Sequence, residues 1–211
     1  MIKGVIFDID GTLLDTMPFW TDVGARYLKS VHVEAREGLG RILFSMTLEE
    51  GTRYLKEAYS LPYTEEEIRR GVLDQIAHFY QQEADFKPGM KEILRKYHEA
   101  GTPMVLATTN DRQLAVNAFT RLGVMDWFHG IYTATELNTS KKEPFIYETA
   151  ARSMGTLIEE TAVYEDVLHA IATAKKAGFH TVAVYDSCSE DDWDEIIEIA
   201  DETIGDTERS L

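Results

Sequence analysis

Residues 5–12 read Val5-Ile6-Phe7-Asp8-Ile9-Asp10-Gly11-Thr12, and they carry the clearest structural signal of the chain. Its first three residues form a continuous apolar run, which is typical of a strand buried on both faces in a parallel sheet. Gly11 permits a sharp turn soon after that strand. The two aspartates therefore follow the carboxyl end of a buried strand, which is where open parallel sheets bind their ligands.

Helix and strand patterns alternate in the part of the chain that follows Lys87-Pro88-Gly89. Strand patterns occupy residues 103–107, 131–132, 162–164 and 181–184. Helical patterns occupy residues 89–100, 111–122, 144–154 and 167–177. Because strands that alternate with helices form parallel sheets, we predict an α/β fold, a doubly wound parallel sheet with helices on both faces.

A block of helical patterns interrupts this alternation at residues 17–82, directly after the first strand. Thr64 and Glu67 have the spacing of a capping box, which predicts that a helix of this block begins after Thr64. No strand pattern occurs in the block. We therefore expect an α/β core domain formed by residues 1–16 and 83–211, with an all-helical domain inserted at 17–82.

The composition excludes several classes of partner. Lys and Arg number 21 against 37 Asp and Glu, which gives a net charge of −16. Such a surface repels nucleic acid and anionic membranes, so neither is expected as a partner. The single cysteine, Cys188, excludes an intrachain disulfide, and we see neither a signal peptide nor a membrane-spanning run. We expect a cytoplasmic protein, and the sequence makes no prediction of its oligomeric state.

Reactive side chains follow three of the predicted strands, and two lysines lie in a loop between them. These side chains belong to Asp8, Asp10, Thr108, Thr109, Asn110, Lys141, Lys142, Glu165 and Asp166. Carboxylates are hard ligands that suit Mg²⁺, and the metal neutralises carboxylates and phosphate together. A lysine adds one compact positive charge for phosphoryl oxygens. The set therefore indicates phosphate chemistry at one edge of the sheet.

The order of these motifs resembles that of the haloacid dehalogenase superfamily. The motifs that carry the resemblance are Asp8-x-Asp10-Gly11-Thr12, Thr108, Lys141-x-x-Pro144 and Glu165-Asp166. The helical insertion resembles the type-1 cap of that superfamily, and Asp15-Thr16 resembles its beta-phosphoglucomutase-like branch. The resemblance covers essentially the whole chain. It implies a Rossmann-like core domain, an inserted all-helical cap domain and a phosphatase that acts on a small phosphorylated metabolite.

The resemblance also implies the catalytic roles. Asp8 would attack phosphorus and carry the phosphoryl group as an aspartyl-phosphate. Asp10 would protonate the leaving oxygen and then take a proton from the hydrolytic water. The Asp8 carboxylate, the Asp10 backbone carbonyl and Asp166 would hold Mg²⁺.

The remaining motifs imply a phosphate-binding set. Thr108, Lys141 and backbone amides near Thr109 would bind the phosphoryl oxygens. Glu165 would support the metal or orient Lys141. Lys142 competes for the role of Lys141, which the spacing to the following proline favours.

Two other functions stay open on the sequence. One is a sugar-phosphate mutase of the same branch, in which a cap histidine lies where this chain has Trp20. The mutase pattern also has a cap arginine that binds the second phosphate of the sugar. This chain has no arginine at that position, although Arg41 lies close by in the sequence. We therefore favour the phosphatase and regard Trp20 and Arg41 as candidate specificity residues. The other is a non-catalytic nucleotide-binding or regulatory module, which the missing glycine-rich turn after the first strand disfavours.

Overall fold

The computed structural model describes residues 1–205, and its sheet contains six parallel strands in the order β3-β2-β1-β4-β5-β6. The strands are β1 Gly4–Phe7, β2 Met104–Thr108, β3 Gly130–Thr133, β4 Thr161–Glu165, β5 His180–Val184 and β6 Glu202–Ile204. The predicted parallel sheet is confirmed. The sequence prediction lacks β6, a three-residue edge strand whose first two residues are exposed and polar.

Nine α-helices accompany the sheet in the described part of the chain. They are α1 Met17–Ser30, α2 Leu39–Phe44, α3 Leu48–Ala58, α4 Glu65–Gln82, α5 Met90–Glu99, α6 Arg112–Arg121, α7 Phe145–Met154, α8 Leu168–Ala177 and α9 Trp193–Ile199. Short 3-10 helices cover Met125–Trp127, Ile158–Glu160 and Ser187–Asp192. Over residues 1–205, no helix has both the length and the apolar character that crossing a bilayer requires.

The central strand is buried on both faces, as its apolar run predicts. Ile6 belongs to a buried cluster that includes Val163 of β4 and residues of α7 and α8. Phe7, the next residue, points to the opposite face, because successive strand side chains alternate. There its ring lies 4.6 Å from that of Tyr164 and 6.2 Å from that of Tyr97 on α5. Helices thus cover both faces of the sheet, which confirms the doubly wound arrangement.

The chain divides into two compact units, Met1–Asp15 with Asp85–Leu211, and Thr16–Ala84. The second unit, which is described throughout, contains α1–α4 and no strand. The cap domain that we propose at 17–82 lies within it, and residues 206–211 of the proposed core lie outside the described residues. The predicted capping box is confirmed, since the Thr64 N–H donates to Glu67 Oε2 at 2.8 Å and the Glu67 N–H donates to Thr64 Oγ1 at 3.2 Å.

Two segments of the first unit form hydrogen bonds with each other. One directly precedes the inserted helices and the other directly follows them. Leu14 and Phe86 form an antiparallel bridge. The Asp15 N–H donates to the Asp85 carbonyl, and the Lys87 N–H donates to the Leu13 carbonyl, both at 3.0 Å. An insertion of this length therefore leaves the sheet at one point and rejoins it at an adjacent one, so the register of β1 is undisturbed.

Lys87 ties the loop after β1 to the loop after β5. Its ammonium donates to the Gly11 carbonyl at 2.8 Å, to the Tyr185 carbonyl at 2.6 Å and to Asp186 Oδ2 at 2.7 Å. Asp186 is buried, and its other oxygen accepts the Cys188 N–H at 2.9 Å. The lysine uses three donors on three acceptors, which offsets the cost of burying the Asp186 charge.

We expect Lys87→Met to lower the free energy of unfolding by about 3 kcal/mol, because it leaves a buried carboxylate without its cation. The Lys87→Met/Asp186→Asn double variant should recover part of this loss, with a coupling of about 1 kcal/mol or more in a double-mutant cycle. Urea unfolding measures both values.

The control is Lys3→Met, which removes a lysine from the exposed ion pair with Glu160. It should cost less than about 1 kcal/mol, as surface pairs do. A Lys87 variant no less stable than this control would show that the three contacts contribute nothing to folding.

Candidate active site

Three neighbouring strands bring polar side chains to the carboxyl edge of the sheet. Asp8 directly follows β1, and its N–H donates to the Tyr164 carbonyl of β4 at 3.0 Å. Thr108 is the last residue of β2, and Glu165 is the last residue of β4, with Asp166 after it. Since β1 lies between β2 and β4 in the sheet, these side chains share one edge. The chain also reverses its direction across the sheet at β1, which is the point where such sheets bind ligands.

A buried lysine lies among these carboxylates. Lys141 Nζ donates to Asp8 Oδ1 and forms an ion pair with Glu165 Oε1 at 2.6 Å. Only 5% of the Lys141 residue surface is exposed, whereas Lys142 is exposed. The Tyr147 hydroxyl, on α7, donates to the same Glu165 oxygen at 2.9 Å. The structure thus brings Lys141, and not Lys142, to Asp8.

Asp8, Glu165 and Asp166 form a buried acidic cluster, with one oxygen of each within 4.8 Å of the others. If all three are ionised, the Lys141 ammonium offsets one of their charges and two remain. Glu165 Oε2 is buried and has no hydrogen-bond partner among the described residues. An unpartnered buried carboxylate oxygen is costly, so this position is suited to a further cation.

The pKa values of the cluster reflect its burial first and its excess of negative charge second. Burial raises the pKa of Asp8 well above its ordinary value, and Lys141 opposes this shift. Burial, reinforced by the Glu165 charge, raises the pKa of Asp166 to about 7. Burial lowers the pKa of Lys141, but the carboxylates of Asp8 and Glu165 outweigh it, so the net shift is upward and the ammonium stays charged. A divalent cation would relieve the repulsion, and oxygen donors are its preferred ligands.

The turn after β1 adds a hydroxyl to this cluster. The Thr12 hydroxyl donates to Asp166 Oδ1 at 3.0 Å. Gly11 has a φ of 80°, a left-handed conformation that a glycine adopts without strain. The turn closes on itself, since the Leu14 N–H donates to the Ile9 carbonyl at 2.8 Å and the Gly11 N–H to the Leu14 carbonyl at 3.0 Å.

Asp10 lies on the same turn and contacts the end of β2. Its Oδ2 accepts a hydrogen bond from Asn110 Nδ2 at 2.9 Å. The Asn110 N–H donates in turn to Thr108 Oγ1 at 3.0 Å, and Thr108 is buried. Thr109 is exposed. Asp10 is thus linked through one asparagine to the hydroxyl of Thr108.

The two candidate specificity residues lie in the other unit. Trp20 is half-buried on α1, and its indole N–H donates to the Tyr80 hydroxyl at 3.1 Å. The only polar group of this side chain is therefore used within its own unit. Arg41 is exposed on α2. Their role in specificity stays a prediction.

Sequence reasoning assigns no role to three hydrogen-bonding residues of the site. Thr12 stands inside the first motif, so its position is a usable signal. Asn110 follows the threonine pair at the end of β2, where a polar strand end is visible but its partner is not. Tyr147 lies on the buried face of α7 and carries no signal, because an aromatic residue at that position fits an ordinary core equally well.

The chain matches a family model described as haloacid dehalogenase-like hydrolase over residues 5–184. The match spans most of the chain, and the chain belongs to this family. The phosphorylated carbohydrates phosphatase of Thermotoga maritima is 25% identical over 181 residues, which cover 86% of this chain and 84% of the relative. The beta-phosphoglucomutase of Bacillus subtilis is 28% identical over 200 residues, which cover 87% and 83%.

A solved structure from Thermotoga maritima, described as that of a candidate beta-phosphoglucomutase, shares the fold. It superposes with a TM-score of 0.85 at 24% identity and covers 96% of this chain and 94% of its own. Within the family, the chain is a phosphoric monoester hydrolase of the beta-phosphoglucomutase-like branch.

In EDTA, we expect Asp166→Asn to be more stable than the wild-type protein at about pH 8, with a difference that shrinks toward about pH 5. The pKa of Asp166 rises on folding from its ordinary 3.8 to about 7. Between these values the folded protein keeps a proton that the unfolded chain has released, so wild-type stability falls as the pH rises. Asparagine carries no such charge. Urea unfolding across this pH range measures the difference.

The control is Asp126→Asn, the same change at an exposed aspartate, which should follow the wild type at every pH. Added Mg²⁺ should raise the wild-type midpoint and raise that of Asp166→Asn much less. A metal-free Asp166→Asn variant that is less stable than the wild type at about pH 8 would contradict the excess of charge.

Proposed function

We propose that this protein is a Mg²⁺-dependent phosphatase that hydrolyses a small phosphomonoester in the cytoplasm through an aspartyl-phosphate on Asp8. The observation that carries the proposal is the buried cluster of Asp8, Glu165 and Asp166 around the Lys141 ammonium, at the ligand-binding edge of the sheet. The presence of one cysteine in 211 residues agrees with a reducing compartment.

The reaction has two displacements at phosphorus. In the first, a carboxylate oxygen of Asp8 attacks phosphorus, the bond to the alcohol oxygen breaks, and Asp10 gives that oxygen a proton. In the second, water attacks the phosphorus of the aspartyl-phosphate and Asp10 takes the proton of the water. Inorganic phosphate leaves, and the Asp8 carboxylate is restored.

Electrostatic stabilisation comes from the groups that surround Asp8. Lys141 and Thr108, with a backbone amide near Thr109, would bind the phosphoryl oxygens and stabilise their charge in the transition state. Mg²⁺, held by the carboxylates of Asp8 and Asp166 and the backbone carbonyl of Asp10, would neutralise carboxylates and phosphoryl oxygens together.

Glu165 is proposed to support this site through Lys141. Its Oε1 receives both the ammonium and the Tyr147 hydroxyl, which fixes the carboxylate and directs the lysine toward Asp8. Its second oxygen faces no protein donor within residues 1–205, so it is also available to the metal site.

Charge near the site supports a substrate whose phosphate is its only anionic group. Two cations of the core are already paired, Lys87 with Asp186, and Arg112 at the start of α6 with Glu136. The exposed Asp111 adds negative charge just after β2. A second phosphate or carboxylate would meet these acids, whereas a neutral sugar or polyol would not. The relative named for phosphorylated carbohydrates supports the same substrate class.

With Mg²⁺, the wild-type protein should hydrolyse hexose and hexitol monophosphates about tenfold or more efficiently than phosphoglycolate or a sugar bisphosphate, because a second anion is repelled. EDTA should abolish phosphate release, and Mg²⁺ should restore it. A phosphate-release assay across this panel measures kcat/KM. Equal rates with EDTA and with Mg²⁺ would refute the metal requirement.

The companion variant is Asp8→Asn, which should lose at least about a thousandfold in kcat because an amide is a poor nucleophile. Asp126→Asn makes the same change at an exposed site and should keep the wild-type rate. An Asp8→Asn protein that stays folded and turns over at the wild-type rate would exclude Asp8 as the nucleophile.

A sugar-phosphate mutase is the second candidate, because the chain is 28% identical to a beta-phosphoglucomutase. Against it, the position just after Asp15-Thr16 that carries a histidine in the mutase pattern is Trp20 here. Trp20 cannot titrate, and its single donor is used by Tyr80. Hydrolysis requires neither a histidine at this position nor a residue that binds a second phosphate group.

Phosphorus NMR separates the two candidates. With beta-glucose 1-phosphate, catalytic glucose bisphosphate and Mg²⁺, we expect inorganic phosphate to accumulate without a build-up of glucose 6-phosphate. The reason is that nothing in the proposed mechanism shields the aspartyl-phosphate from water in favour of a sugar hydroxyl. Accumulation of glucose 6-phosphate with little inorganic phosphate would establish the mutase.

A further inference from the structure

We propose that Asn110 is a positioning residue that holds the Asp10 side chain in place for proton transfer to and from the reacting oxygens. This inference rests on the acid and base role of Asp10 in the proposed function. None of the four motifs includes Asn110. The observation behind the inference is a side-chain hydrogen bond between two residues that are 100 positions apart in the chain.

Two hydrogen bonds fix the orientation of the Asn110 side-chain amide. Its Oδ1 accepts the Asp111 N–H at 2.8 Å, so the oxygen of the amide faces the backbone. Its Nδ2 therefore faces Asp10 and donates to Oδ2 at 2.9 Å. Because a backbone N–H can only donate, the reversed amide would place two donors against each other and is disfavoured.

Asn110 is itself anchored to the sheet. Its N–H donates at 3.0 Å to the hydroxyl of Thr108, the buried last residue of β2. Asp10, by contrast, lies on a turn and is only partly buried. The hydrogen bond thus connects a side chain on a turn to a rigid strand end. It holds the acid and base at a fixed place relative to the residue that we propose binds the phosphoryl group.

The chemical type of residue 110 fits this role. An amide donates a hydrogen bond to a carboxylate without adding charge, whereas a lysine would form an ion pair with Asp10 and a carboxylate would repel it. Holding a reacting group in one rotamer lowers the barrier to each proton transfer, because the group need not be reoriented at the moment of reaction. Asn110 would thus affect only the steps in which Asp10 moves a proton.

The alternative is that Asn110 only shapes the loop after β2. Two substitutions separate the alternatives, since Asn110→Asp keeps the size and the acceptor for the Asp111 N–H but loses the donor, whereas Asn110→Ala loses both. The aspartate also adds a negative charge, which acts on the phosphate of every substrate alike. A shape-only role therefore predicts that the aspartate variant loses no more on a substrate whose leaving group needs a proton than on one whose leaving group does not. A positioning role predicts that both variants lose more on the substrate that needs the proton.

The measurement is the rate of phosphoenzyme formation in single turnovers with Mg²⁺, using a sugar phosphate and p-nitrophenyl phosphate. An alkyl leaving group needs a proton from Asp10, whereas p-nitrophenolate leaves with little help. We expect Asn110→Ala and Asn110→Asp to slow phosphoenzyme formation from the sugar phosphate by about tenfold or more, and from the aryl phosphate by less than about threefold. The KM of both variants should stay within about twofold of the wild-type value.

A double-mutant cycle makes the test specific to the contact with Asp10. Once Asp10→Asn has removed the proton donor, adding Asn110→Ala should slow phosphoenzyme formation from the sugar phosphate by no more than about twofold. Asn117→Ala is the matched control, because it removes an asparagine of α6 outside the site and should leave both rates unchanged.

Three outcomes would overturn the inference: equal losses on the two substrates, a wild-type rate in Asn110→Asp, or effects of Asn110→Ala and Asp10→Asn that multiply. Failure of the proposed function is recognised separately. A wild-type protein without Mg²⁺-dependent phosphatase activity, or an Asp10→Asn variant that slows both substrates equally, would refute the acid role and with it this inference.

Discussion

Three carboxylates are buried around one ammonium at the ends of β1 and β4. Each buried ion costs several kcal/mol, and only close pairing and hydrogen bonds offset that cost. Asp8, Glu165 and Asp166 must therefore be held in fixed positions. The sheet supplies this rigidity, because Ile6, Val163 and their neighbours are fully buried and the strands carrying the acids are directly paired.

The surrounding polar groups confine the excess negative charge to this cluster. In the neighbouring loop, Lys87 pairs with Asp186, so that carboxylate needs no further cation. The Asp10 carboxyl group accepts a hydrogen bond from the neutral amide of Asn110, which fixes its position without adding a counter-charge. The Lys87–Asp186 ion pair, the hydrogen-bonded Asp10 and the acidic cluster thus differ in charge balance. Of these three, the cluster has negative charge left for a cation. The function that we propose combines a metal, a nucleophile and a proton donor in one site, and it requires this separation.

Local patterns predict most of the fold, whereas the contacts within the site are only partly predictable. The apolar run before Asp8 identifies the central strand, since burial on both faces leaves no polar position in it. β6 is not predictable, because a short polar edge strand lacks a periodic pattern and forms only by pairing with β5. The convergence of strand ends follows from the parallel order of the sheet. The bonds of Asn110 and Tyr147 do not, because they depend on side-chain distances between residues that are remote in the chain.

The unpartnered oxygen of Glu165 indicates that this side chain contributes to ion binding more than to folding. Over residues 1–205, two buried side-chain atoms lack a hydrogen-bond partner, and the other is the neutral hydroxyl of Thr149. Folding alone would favour a glutamine or an apolar residue at 165, since either would reduce repulsion with Asp8 and Asp166. The retained carboxylate weakens the metal-free protein and strengthens a cation site. This cluster therefore lowers the stability of the metal-free protein at a place where binding a divalent ion would restore it.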